Sequence, residues 1–219
     1  MKKGYLHILE NETFTKTAML YVACSGGPDS VATMHLLKRK YGEKVRALFI
    51  DHRTLESANG FATVVHNFPA NYVQYSIAPN IHPSEAGWAY ARREIYEWVS
   101  EARDAIIATG HHLDDSVEEY LINTTKRGTA TTLRYNYPNS YLFRPMLLNK
   151  KAQFIEYCNK HKLSYIDSSG STDLRSKIRQ STIVSDINDV MNTNIETIVR
   201  KKIHRDHEQS EVKNLGASI

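Results

Sequence analysis

Cysteine is nearly absent: Cys24 and Cys158 are the only thiols in 219 residues, and they lie far apart outside any C-x-x-C pattern. A disulfide framework and a Cys-based zinc or iron–sulfur site are therefore poor fits, and a reducing cytoplasm is the expected setting. No apolar run reaches the ~18 residues of a membrane span. The stretch MKKGYLHILENETFTK has lysines but no sustained apolar core, so no secretory signal is expected. With 10 Gly and 6 Pro, the chain is neither collagen-like nor low in complexity. Charge of one sign is also missing: 28 Lys and Arg face 24 Asp and Glu, for a net charge of +4. That balance permits a polyanionic partner without demanding one.

The length suits one full domain and a smaller appendage. Short apolar runs at Ala18–Cys24, Val45–Ile50, Tyr72–Ile77 and Ala105–Thr109 read as buried strands. Between them, residues 30–42, 55–67 and 85–103 carry a helical period, and helices at 111–126 and 150–161 follow. Strands alternating with helices of about a dozen residues predict an α/β fold, a Rossmann-like parallel sheet flanked by helices. Residues 128–140 read as a surface loop. From about Asp173 a short helical C-terminal extension is expected, with a basic stretch at Arg200–Arg205. The expected division is a catalytic domain over 1–172 and the extension over 173–219.

The sharpest local signal is Ser25-Gly26-Gly27-Pro28-Asp29-Ser30, between the first strand and the first helix. Glycines let backbone N–H groups approach an anion, and a helix N-terminus adds partial positive charge. The Ser25 and Ser30 hydroxyls can donate to phosphate oxygens. Asp29 fits a phosphate cradle only if a cation such as Mg²⁺ sits between. The loop has no Lys, so it is not a G-x-x-x-x-G-K-[ST] loop. Taken alone, it could also be a plain turn with Asp29 and Ser30 as helix caps.

A second signal is GHHLDDSVEE at 110–119. On a helix, Leu113, Val117 and Leu121 form the core stripe, while His111, Asp115 and Glu118 project from the other side, flanked by His112 and Glu119. Metal or proton chemistry suits that cluster; a solvated polar face is the plainer reading. A third signal is Asp51-His52-Arg53, just beyond a strand. All three fall at the same end of the predicted strands, where open α/β sheets bind ligands.

The ordered set SGGPDS at 25–30, DH at 51–52, AR at 91–92 with Tyr96 and Trp98, GHHLDDSVEE, RG at 127–128, RPM at 144–146, and Asp167 followed by RSKIR at 175–179 resembles the PP-loop (N-type) ATP pyrophosphatases. Within them it is similar to the tRNA(Ile)-lysidine synthetases. The resemblance implies a PP-loop ATPase fold, ATP and Mg²⁺ as cofactors, and tRNA(Ile) with a CAU anticodon and free L-lysine as substrates. The implied reaction adenylates O2 of the wobble cytidine and lets the lysine ε-amine displace AMP, with the protein often paired as a homodimer. It assigns ATP binding to Ser25, Gly26, Gly27, Pro28, Asp29, Ser30, Asp51, His52 and Gly110. Catalytic roles fall on Asp29, His112, Asp115 and Glu118, with Asp29 and Asp115 toward the metal. Phosphate contacts to nucleotide or tRNA fall on Arg92, Arg127, Arg144, Arg175 and Arg179. For each Arg the plainer alternative is a surface salt bridge.

The chain departs from the family pattern at DHRTL (51–55), Ile95, Glu119, TATTLRYN (129–136) and Ser169-Gly170. Family members commonly carry further tRNA-gripping domains. A minimal enzyme using Arg200–Arg205, or another substrate, would each accommodate their absence from these 219 residues. The rival readings are another PP-loop base-modifying enzyme, such as a tRNA thiolase, and a non-catalytic tRNA or nucleotide binder.

Overall fold

The computed structural model describes residues 6–10, 16–17, 19–136, 141–166, 177–178, 181–191 and 194–216. Its centre is one sheet of five parallel strands, β1 (Met19–Ala23), β2 (Val45–Asp51), β3 (Tyr72–Ser76), β4 (Ala105–Thr109) and β5 (Leu142–Phe143), in the order β3-β2-β1-β4-β5. The apolar runs form strands because both faces of a parallel sheet are covered. β4 is buried at every residue. The expected Rossmann-like α/β class is what the structure shows. The fifth strand was not anticipated: two residues hold no measurable period.

The helices among the described residues include α1 (Pro28–Tyr41), α2 (Leu55–Asn67), α3 (Glu85–Arg103), α4 (Leu113–Arg127), α5 (Lys151–Lys160), α6 (Ile183–Met191) and α7 (Ile195–Gly216). On one face of the sheet, Leu20, Val22, Phe49 and Ala108 share a core with Val31, Met34 and Leu37 of α1, Leu113 and Val117 of α4, and Phe154 of α5. On the other, Tyr21, Leu48, Ile50 and Ile107 pack with Ala91 and Val99 of α3.

Helix α7 is fastened to that first core. Ile195, Val199 and Ile203 of α7 are all buried in it, each contributing about 1.5–3 kcal/mol relative to exposure. Arg200 in the basic stretch donates to the Leu148 carbonyl at 2.7 Å, whereas Lys201, His204 and Arg205 are exposed. Among the described residues no helix is long and apolar enough to cross a membrane.

This topology decides where a ligand can sit. After β1 the chain builds outward to β2 and β3; β4 and β5 then add on the opposite side of β1. The loops leaving the carboxyl ends of β1 and β4 therefore diverge and open a crevice between them.

Candidate active site

That crevice holds a cleft of about 420 Å³. Its walls include Ser25, Gly27, Pro28, Asp29 and Ser30 from the first loop, Gly110 and Asp115 beyond β4, His52 beyond β2, and Arg92 of α3. Sequence positions dispersed over ninety residues thus meet at one sheet edge.

The first loop is tied internally. Ser25 N–H donates to the Ser30 hydroxyl at 3.1 Å, and that hydroxyl donates to the Gly27 carbonyl at 3.0 Å. Gly26 turns the chain at φ +91°, a conformation open to glycine. It does so against α2: a Cβ on Gly60 would lie 2.3 Å from the Ser25 carbonyl oxygen. On the β4 side, a Cβ on Gly110 would lie 2.9 Å from the Asp29 carbonyl oxygen. Close backbone approach on both flanks presses the loop into place.

α1 begins at Pro28 rather than at Ser30, with Gly27 as its cap residue and no side chain capping it. Proline fits this first position because its missing N–H is not needed there. Asp29 and Ser30 therefore lie inside the first turn and are not caps. By contrast α2, α3 and α4 are capped by the side chains of Thr54, Ser84 and His112. The uncapped end of α1 leaves N–H donors and the positive end of the helix dipole toward the cleft, the arrangement that binds phosphate.

α4 likewise begins later than the sequence suggested, at Leu113. His112 is its cap and not a residue of its polar face: His112 Nδ1 accepts from Asp115 N–H at 3.4 Å, and Asp115 Oδ2 accepts from His112 N–H at 2.9 Å. The His112 side chain is only 2% exposed and lies between acids, its Nε2 3.6 Å from Asp29 Oδ1 and its Nδ1 3.4 Å from Asp114 Oδ2. The 3.6 Å separation is an ion-pair distance, long for a hydrogen bond. Burial alone lowers the imidazole pKa, but Asp29, Asp115 and Asp114 outweigh it and the pKa is raised. His112 is thus a positioning group that links the Asp29 loop to the start of α4.

Other expected site residues are not brought to the cleft wall. Glu118 is buried along α4, 3% exposed. Asp51 serves its own turn, accepting from Arg53 N–H at 2.7 Å. Burial raises its pKa, but that hydrogen bond and those from Ser57 and Ser76 outweigh it and hold the carboxyl below its ordinary value. Arg127 donates to Asn123 at the far end of α4, about 18 Å along the helix from Asp115. Arg144 donates to the Arg134 carbonyl. Arg175 and Arg179 lie outside the described residues.

The structure adds Lys151, Thr109 and Gly60, which the sequence did not single out, and gives His111, His52 and Arg92 their partners. Lys151, the first residue of α5, lines the cleft; its N–H donates to Asp114 Oδ2 at 2.7 Å. Its cationic side chain is of a type that the first loop lacks. Thr109 and His111 also line the cleft, joined at 2.7 Å between Oγ1 and Nδ1. His52 stacks edge-on against Trp88 and lies 3.3 Å from Arg92 Nη1. Gly60 could have been suspected only as a glycine inside a helical period.

The donor set fits a hard divalent cation held jointly with phosphate. Asp29 Oδ1 is buried without a hydrogen bond, and Asp115 is a second carboxylate of the wall, with one oxygen committed to the α4 cap. Among the described residues no group of three His, Cys, Asp or Glu forms a closed metal cage. Mg²⁺ characteristically binds through one or two carboxylates plus substrate phosphates. The thiols suit neither nucleophile nor cluster ligand: burial pushes Cys24 up to about 11 and Cys158 up to about 12.

The chain is similar to several known proteins. The tRNA(Ile)-lysidine synthase of Bacillus cereus is 26% identical over 197 residues, covering 78% of this chain and 40% of that protein. That of Staphylococcus epidermidis is 25% identical over 226 aligned positions, covering 94% of this chain and 52% of that protein. The chain thus spans about half the length, or less, of these curated relatives. Among solved structures, the U34-tRNA thiolase of Methanococcus maripaludis has the same fold, with a TM-score of 0.66 at 14% identity over 92% of this chain and 76% of that one. The family model described as the PP-loop domain matches residues 1–187, and with that match over most of its length the chain belongs to the PP-loop domain family.

Proposed function

We propose that the chain is the catalytic part of an ATP-dependent tRNA(Ile)-lysidine synthetase, a C–N bond-forming ligase acting on the wobble cytidine of a CAU anticodon. The observation that carries this reading is the uncapped N-terminus of α1 opening on the same cleft as Asp29, Asp115 and Lys151. The relatives named as lysidine synthases, aligned over 78% to 94% of the chain, support the choice of reaction.

In the first step the cytidine O2 attacks the α-phosphorus of ATP and pyrophosphate leaves. The N–H groups at the start of α1 and the Lys151 ammonium hold the phosphates in line, and the loop pressed between Gly60 and Gly110 keeps those donors fixed. Mg²⁺, when bound at Asp29, would neutralise charge on the phosphates. His112, shared among three acids, orients Asp29. In the second step the lysine ε-amine attacks C2, the C2–O2 bond breaks, and AMP departs carrying that oxygen. Asp115 faces the incoming ammonium and takes its proton. Arg92 and His52 border the mouth on the β2 side.

Pyrophosphate release tests the reading. With Mg-ATP, it should depend on a CAU-anticodon transcript and vanish when the wobble cytidine is replaced by uridine. Equal release without RNA, or with the uridine transcript, would overturn it.

A further inference from the structure

α1 has a second concavity near its other end. Residues 6–10, the C-terminal half of α1 and the end of α5 enclose a cavity of about 580 Å³. Arg39 lies ten residues after Asp29 on the same helix, about 15 Å along its axis. This cavity shares no lining residue with the cleft.

Its rim is cationic and its floor aromatic. Arg39, Lys40 and Lys160 are exposed at the rim, and the carboxylate there, Glu10, is ion-paired with Lys40. Arg39 and Lys160 form no ion pair among the described residues. The Tyr157 hydroxyl lies 3.0 Å from His35 Nδ1, and the His161 ring packs 4.3 Å from Tyr157 and 5.1 Å from His35, centroid to centroid. His161 lines the cavity and His35 lies just behind it. Burial, then His161 and Arg39, lower His35 to about 4; burial, then Arg39 and Lys160, lower His161. Burial is the larger cause for both rings, and Arg39 adds to it in each case.

We infer that this cavity binds a phosphate group, and that its occupant is a backbone phosphodiester of the RNA that enters the cleft. The inference rests on the reading of the substrate as RNA. A small phosphorylated metabolite is held by enclosure and buried polar groups. Here Arg39, Lys40 and Lys160 are exposed at the rim, as side chains that hold backbone phosphates in register are. A strand engaged at both places would have to cover the roughly 15 Å that separates Arg39 from Asp29 along α1.

The test uses the full chain and a CAU-anticodon tRNA(Ile) transcript, titrated at several salt concentrations. The double variant Arg39→Glu with Lys160→Glu should lose affinity by about tenfold or more and lower the slope of log K against log salt by about 1–2. Its ATP affinity should not change, and Arg39→Lys with Lys160→Arg should restore RNA binding. An unchanged slope and affinity in the charge-reversed protein would overturn the inference. A second arm titrates inorganic phosphate while the His161 and His35 resonances are followed by NMR. If phosphate raises their pKa values and the double variant still binds RNA normally, the site serves a free phosphate compound and the RNA assignment falls. If the unaltered chain binds no transcript, the substrate reading itself fails, and the inference with it.

Discussion

The two ends of α1 face concavities of opposite design. At its start, charges of both signs meet around the cleft: Asp29 and Asp115 on the wall, with Asp114 and buried His112 just behind, face Lys151 and Arg92. At its end, cations outnumber the single carboxylate Glu10. The first arrangement fixes charges in register on a rigid loop, as chemistry on a phosphate requires. The second puts long, exposed side chains over an aromatic floor, as adhesion to a polyanion requires. One helix thus joins a site where position matters to a surface where charge matters.

The largest effect should come from breaking the first region alone. Asp29→Ala should lower pyrophosphate release by on the order of 10²-fold or more, the scale of losing one preorganised charge contact. Its circular dichroism should remain that of the unaltered protein and its RNA affinity should hold, because the outer cavity is untouched. Full release by this variant would remove Asp29 from the mechanism.

Lys151→Ala should follow, costing about 10–10²-fold in activity, the equivalent of one hydrogen bond from a charged donor. Calorimetry should show the loss as weaker ATP binding, with Lys151→Arg retaining part of it. An unchanged ATP affinity would mean that Lys151 lines the cleft without touching nucleotide.

Gly60→Ala probes the packing that holds the loop. Its new methyl would meet the Ser25 backbone at 2.3 Å, so the loop or α2 must shift. About 1–3 kcal/mol of stability should be lost, with a matching rise in the Kd for ATP. A variant as stable as the parent in denaturant melts would show that the contact yields freely.

The smallest effect sharpens the other end of the helix. His35 in the folded protein titrates at about 4, below its ordinary 6.5. The unfolded chain therefore takes up a proton between those values that the folded one resists. Stability should be lost as pH falls from about 6.5 toward 4, and His35→Gln should flatten that slope in thermal melts. A slope identical in both proteins would assign the acid sensitivity elsewhere, His161 being the next group to replace.

How much of this was legible in the sequence depended on the range of the forces involved. The strand and helix alternation was readable because periodicity is local, and SGGPDS was readable because its glycines sit between a strand and a helix. The start of α4 misled because a histidine at a strand end can either join the helix face or cap it. His112 caps, which turns Asp115 back on itself and leaves Glu118 in the interior. Lys151 and Gly60 were hidden because only the tertiary fold brings a residue of α5, and a backbone of α2, to a loop at residue 25. The outer cavity was hidden for the same reason, its cations being split between α1 and α5.

The central claim is most directly tested by mass spectrometry of nucleosides from a CAU-anticodon tRNA(Ile) transcript incubated with the chain, Mg-ATP and lysine. The account predicts a lysine-dependent mass gain on cytidine, lost with Asp29→Ala. Unmodified cytidine from a folded protein that binds both ATP and the transcript would contradict it.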